Sequence, residues 1–154
     1  MEKEKYSLWK EDLSEAEIII WKTAVEREND NDLDSAIEIH KKLLDKKPNS
    51  TLLNISLGSL YEKYFDTMCD HNKMLLAERH FKKAVESAPK SGLASCMYFH
   101  CLWDLDKREG AVKEMRRFKV VGDPEDYSEV LEDYGEEIGE IEKSIDSTSI
   151  NKVT

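Results

Sequence analysis

The chain has 154 residues, a formal net charge of −10, 40% hydrophobic and 36% charged residues, and only six glycines and three prolines. That is enough to bury one core without disulfide or metal staples, and it excludes a fully disordered, collagen-like or disulfide-scaffold chain. So few turn formers also exclude a many-stranded β domain, and the negative charge makes a generic binder of DNA or of an anionic membrane unexpected.

The predicted elements are all helical. Residues 1–13 form an acidic N-terminal segment. Ser14 and Glu17 make a capping-box pair before a helix over 16–28. Asp32 or Asp34 caps a second helix to about Asp45, closed by Lys46-Lys47-Pro48. Ser50 opens a third, with Leu53, Leu57, Leu60, Tyr61 and Tyr64 on one side, and Asn72 caps a fourth that runs to Ser87 before Pro89. Ser91 opens a fifth, from Leu93 to about Leu105. Asp106 and Glu109 open a sixth to about Val120, followed by Gly122 as a C′ glycine. Asp123-Pro124-Glu125 starts a seventh over 124–146. Its heptad-spaced stripe is Tyr127, Leu131, Tyr134, Ile138, Ile141 and Ile145. The polar residues 147–154 read as a flexible tail.

Charge is unevenly placed. Residues 1–36 carry 5 basic and 11 acidic groups, residues 37–120 carry 16 and 11, and residues 121–154 carry 2 and 11, for net charges of −6, +5 and −9. The basic residues of the middle fall mostly on second helices: Lys41, Lys42, Lys46 and Lys47, then Arg79, Lys82 and Lys83, then Lys113, Arg116, Arg117 and Lys119. They serve either as solvated, helix-end lysines and arginines or as a stripe for RNA or an acidic tail. Three cysteines without disulfide spacing predict a reducing compartment. The opening MEKEKYSLWKEDLSE has no apolar signal-peptide core, and the longest apolar run is Ile18-Ile19-Ile20-Trp21, so the expected location is cytoplasmic.

Helices 1 to 6 form pairs, and the pairs repeat. Ala77, Phe81, Ala84 and Pro89 are spaced by 4, 3 and 5; Ala36, His40, Leu43 and Pro48 keep all three spacings, and Ala111, Met115 and Phe118 keep the first two at an offset of 34. In the third helix Leu57-Gly58 precedes Tyr61 by the expected three residues. Leu-Gly-x-x-Tyr followed by Ala-x-x-x-Phe-x-x-Ala and a closing proline resembles the tetratricopeptide repeat (TPR). The resemblance covers about residues 16–121, as units 16–48, 50–89 and 91–121. It implies an all-α, TPR-like α-solenoid of three helical hairpins with a C-terminal capping helix. The outer units diverge: Phe99 and Leu102 stand for the glycine and tyrosine in the third, and Ala24 for the glycine in the first. Pro48 and Pro89 are 41 residues apart, seven more than the repeat, which reads as one added turn on each of helices 3 and 4.

No phosphate-binding glycine loop, nucleophile elbow, His-Glu-x-x-His or paired Cys-x-x-Cys is present. Cys69-Asp70-His71 with Cys96, His100 and Cys101 is the only metal-like set, and it lacks convincing ligand spacing. No catalytic residue, cofactor or metal is expected. The resemblance implies a protein-binding groove lined by first helices, with Ile18, Trp21 and Val25, then Ile55, Ser59, Glu62 and Lys63, then Cys96, His100, Trp103 and Asp104 as its candidates. These residues either line the groove or belong to the core. The seventh helix offers a second surface, Glu129, Glu132, Asp133, Glu136 and Glu137, suited to a basic partner. The expected function is a non-enzymatic protein–protein interaction module, monomeric or weakly dimeric. It is either an immunity or inhibitor protein neutralising a basic toxin, a secretion-type chaperone for an apolar segment, or an RNA-associated scaffold.

Overall fold

The computed structural model describes residues 13–150. The acidic segment read at 1–13 therefore lies almost wholly outside the described residues, as do 151–154. Seven α-helices follow in order: α1 (Glu15–Asn29), α2 (Leu33–Lys46), α3 (Thr51–Met68), α4 (His71–Ser87), α5 (Gly92–Asp104), α6 (Arg108–Val121) and α7 (Ser128–Ile150), with a 3-10 turn, Pro124–Tyr127, before α7. Each helix packs on the next in the chain, so three antiparallel hairpins stack into a ladder of pairs, the TPR-like helical solenoid with divergent repeats.

Local chemistry sets the helix ends. Ser14 and Glu17 form a complete capping box on α1, and the hydroxyls of Ser50 and Ser91 accept from the backbone N–H of Leu53 and Ala94. Asp32, the first of the two candidates, caps α2. The cap of α4 is Asp70, not Asn72. At α6 the box pair Asp106 and Glu109 does not form: Lys107 holds the cap position without a side-chain hydrogen bond. The reason is repeated in every hairpin. Asn31, Cys69 and Asp106 each sit in the left-handed region (φ 61°, 54° and 58°) at the bend between the two helices. Asp106 is the residue that turns the chain, and its carboxylate lies 3.2 Å from Arg108 instead of over the helix end. Gly122 is extended, not left-handed (φ −114°). Its missing side chain matters for space, because a Cβ there would run into the Phe118 ring.

Small residues face large ones inside each pair. A Cβ added at Gly58 would sit 2.6 Å from the Phe81 ring, so the glycine admits that ring between α3 and α4. In the third unit the bulk moves to the other helix: Phe99 replaces the glycine, Met115 replaces the phenylalanine, and both are fully buried. In the first unit Ala24 and His40 stand at these positions, also fully buried. His40 thus occupies an aromatic core position. Its Nδ1 donates to the Ala36 carbonyl at 2.9 Å, its Nε2 is buried without a partner among the described residues, and burial lowers its pKa. The lengthened middle unit is visible as 18 and 17 residues in α3 and α4, against 13 to 15 in the other four hairpin helices.

The last helix packs on the third hairpin. Tyr127, Val130 and Ile138 are buried with Phe99, Leu102, Met115 and Phe118, and Tyr134, Ile141 and Ile145 pack at the edge. Leu131, read as a stripe residue, is 36% exposed, and Val130 (4%) takes its place. A 3-10 turn advances the chain by three residues per turn, so the position below Tyr127 is i+3, not i+4. A buried polar cluster pins the turn: Ser95 Oγ donates to Glu114 at 2.7 Å and lies 2.9 Å from the Tyr127 hydroxyl, while Arg117 grips Glu114 through two nitrogens. Arg108–Glu137 and Arg116–Asp146 ion pairs tie down the length of α7. The helix continues past Asp146 to Ile150, where a flexible tail was expected from residue 147.

Candidate functional site

The first helices share one face of the ladder. Lys63 of α3 reaches Glu28 of α1 at 3.4 Å, and α3 approaches α5 directly across the hairpins. Five expected groove residues lie on this face with side chains at least partly accessible: Ser59, Glu62 and Lys63 on α3, and His100 and Asp104 on α5. His100 stands edge-on to Phe99 and Tyr134. Glu62 is the most perturbed of the five. Burial, then the charges of Asp104 and Asp66, push its carboxyl up from 4.5 to about 7. Asp104 is also raised, by burial and by Asp66, against the opposing pull of His100. Lys63, next to Glu62 in the chain, is paired with Glu28.

Of the other groove candidates, Ile18 and Val25 are partly buried and the rest are buried. Trp21 is 6% exposed and belongs to the core of the first two hairpins, where Ile18 and Val25 also pack. Trp103 is 8% exposed: it stacks on Phe99 (ring centroids 5.4 Å apart, 20° between planes), meets Tyr134 of α7 at 4.9 Å, and lies under the Arg108 guanidinium. Ile55 and Cys96 are buried. Both tryptophans are therefore held in the core. The α7 candidates Glu129, Glu132, Asp133, Glu136 and Glu137 are all exposed, on the side of α7 away from the core, and Glu137 is held by Arg108.

Among the described residues, no three His, Cys, Asp or Glu side chains are grouped to hold a metal ion. Cys101 is buried, its thiol faces the Met74 carbonyl, and burial pushes its pKa far up, which makes it an unreactive core residue. Asp66, which completes the carboxylate set on α3, was not among the sequence candidates. It lies one helical turn after Glu62 on the added length of α3, and that spacing was the available signal. Of the second-helix cations, Lys42, Lys47, Lys113, Arg116 and Arg117 are paired with carboxylates. No described helix is long and apolar enough to cross a membrane.

Neither a protein-family model nor a curated protein matches the sequence. Solved structures do match. The chain is similar to the first TPR of Spaghetti (RPAP3), a structure bound to the HSP90 peptide SRMEEVD, with 19% identity, a TM-score of 0.60, and coverage of 84% of this chain and 94% of that one. MamA matches with 20% identity, a TM-score of 0.62, and coverage of 86% and 66%. A monomeric IFIT1 mutant with Gppp-AAAA matches with 20% identity and a TM-score of 0.60, over 66% of this chain but only 25% of its own length. At these identities the likeness establishes the TPR-like solenoid fold and nothing finer.

Proposed function

We propose that the chain is a protein–protein interaction module, without chemistry of its own, that takes a basic segment of a partner protein along the face of α1, α3 and α5. The observation that carries this reading is Glu62: a carboxyl on the open face, raised by burial and by Asp104 and Asp66, with Lys63 turned to Glu28 instead. A lysine or arginine from a partner would remove that penalty and make charge-assisted hydrogen bonds there. The α7 contacts fall on the third hairpin, so the Glu62 region over α3 is left accessible. The likeness to a TPR bound to a peptide supports the same use of the fold.

Within this reading an inhibitor of a basic protein is favoured over a chaperone for an apolar segment, because Trp21 and Trp103 are engaged in the core. The net charge of −10 argues against an RNA scaffold. The test is the association of the partner captured from the native host with three versions of the full chain. Glu62→Lys/Asp104→Lys is expected to slow association and weaken binding. Glu132→Lys/Glu136→Lys on α7 is expected to change it far less. The reverse ranking would move the site to the acidic terminal helix, and indifference to both would remove the electrostatic reading.

A further inference from the structure

A second polar site lies away from that face. Between α2 and α4, beside the first turns of α3, lies an open pocket of about 220 Å³ whose walls include Lys41, Asp45, Asn54, His80 and Lys83. Its floor is built. Asn54 is fully buried, its amide nitrogen donates to the Pro48 and Ser50 carbonyls (3.1 and 2.9 Å), and its oxygen accepts from His80 Nδ1 at 2.9 Å. The His80 ring is further fixed by stacking on Tyr61, with centroids 5.7 Å apart. The proton on Nδ1 leaves Nε2 without a hydrogen-bond partner among the described residues.

The charge around this floor is unbalanced. Five of the second-helix cations have a carboxylate partner, whereas Lys41, Arg79 and Lys83, like Lys46, Lys82 and Lys119, have none among the described residues. Asp45 is the only carboxylate in the wall, and it pairs with none of the three. All three cations, after burial itself, act to lower the pKa of His80, to about 4. Two of these cations, Lys41 and Lys83, line the same concave spot, where a compact anion would relieve their repulsion.

We infer that this cavity binds a phosphate group, with Lys41 and Lys83 neutralising its oxygens and the Asn54–His80 pair holding the wall against which it rests. The shared chemistry is a phosphate dianion, either free or carried on a phosphorylated side chain of a partner. The site is independent of the concave face, and neither reading depends on the other.

The test titrates the full chain with inorganic phosphate and, separately, with a short phosphoserine peptide, against chloride at equal ionic strength, following backbone amide shifts. Saturable shifts centred on Asn54 and His80 in the millimolar range are expected, with binding weakened about tenfold or more in Lys41→Ala/Lys83→Ala. Lys42→Ala/Lys113→Ala, which changes two cations paired elsewhere, is expected to bind as the wild type. Both target lysines are exposed, and Lys41→Gln/Lys83→Gln serves if the alanine pair perturbs the fold. Tighter binding of the peptide than of free phosphate would support the site and assign the phosphorylated side chain; equal or weaker binding would support it and assign free phosphate. Shifts no larger than with chloride, shifts centred elsewhere, or wild-type binding by the double variants would overturn the inference.

Discussion

Replacing Glu62 by glutamine tests the electrostatics of the open face without any partner. The folded carboxyl titrates near 7 and the unfolded one near 4.5. Between these values the folded chain holds a proton that the unfolded chain has released, so this group's favourable contribution is complete below about pH 4.5 and is lost as the pH rises through 7. Glutamine mimics the protonated form at every pH. The difference between 7 and 4.5 corresponds to at most about 3 kcal/mol at high pH, reduced by the part of the side chain that water reaches. Urea unfolding of wild type and Glu62→Gln should therefore give nearly equal stabilities at about pH 4 and a more stable variant at about pH 8, by roughly 1–3 kcal/mol. For a chain of this length that is a rise in Tm of roughly 3–9 °C. Asp104→Asn should produce part of the same gain, and less than additively in the double variant, because the two carboxyls share one repulsion. An equal stability difference at both pH values, or a variant less stable at about pH 8, would refute the assignment of Glu62 as a strained, desolvated acid.

Two further predictions concern the core. His40 is buried neutral with a lowered pKa, so it withdraws stability as the pH falls below 6.5, where the unfolded chain takes up a proton that the folded chain refuses; His40→Phe should flatten the loss of stability on going from neutral to mildly acidic pH, as read by chemical denaturation, and an unchanged acid limb would show that His40 does not cause it. Deleting the chain from Asp123 onward uncovers Phe99, Met115 and Phe118 and removes the buried side chains of Tyr127, Val130 and Ile138, each worth roughly 1.5–3 kcal/mol. The truncated protein should aggregate or lose several kcal/mol, and a monomer that melts at the wild-type temperature would show α7 to be a detachable arm.

The helices, their pairing and most of their caps were legible in the residues, because these features depend on neighbours three or four positions away. Ser14 with Glu17, Ser50 and Ser91 act on backbone groups one turn downstream, and Gly58 opposite Phe81 is a contact inside one hairpin. The added turns of α3 and α4 followed from counting residues between two prolines. What depends on the phase between elements was not legible. Asp106 looks like a cap until the bend of the hairpin claims it as the left-handed residue, as it claims Asn31 and Cys69. Leu131 and Val130 exchange places because one 3-10 turn resets the register of α7. Trp21 and Trp103 fall inside and Glu62 outside through the rotation of each first helix against its neighbours, which no spacing along the chain records. The same holds for the two candidate sites. Glu62 meets Asp104, and Lys41 meets Lys83 over Asn54 and His80, only after hairpins about 40 residues apart in sequence are stacked, and it is the stacking geometry that decides which like charges are brought together.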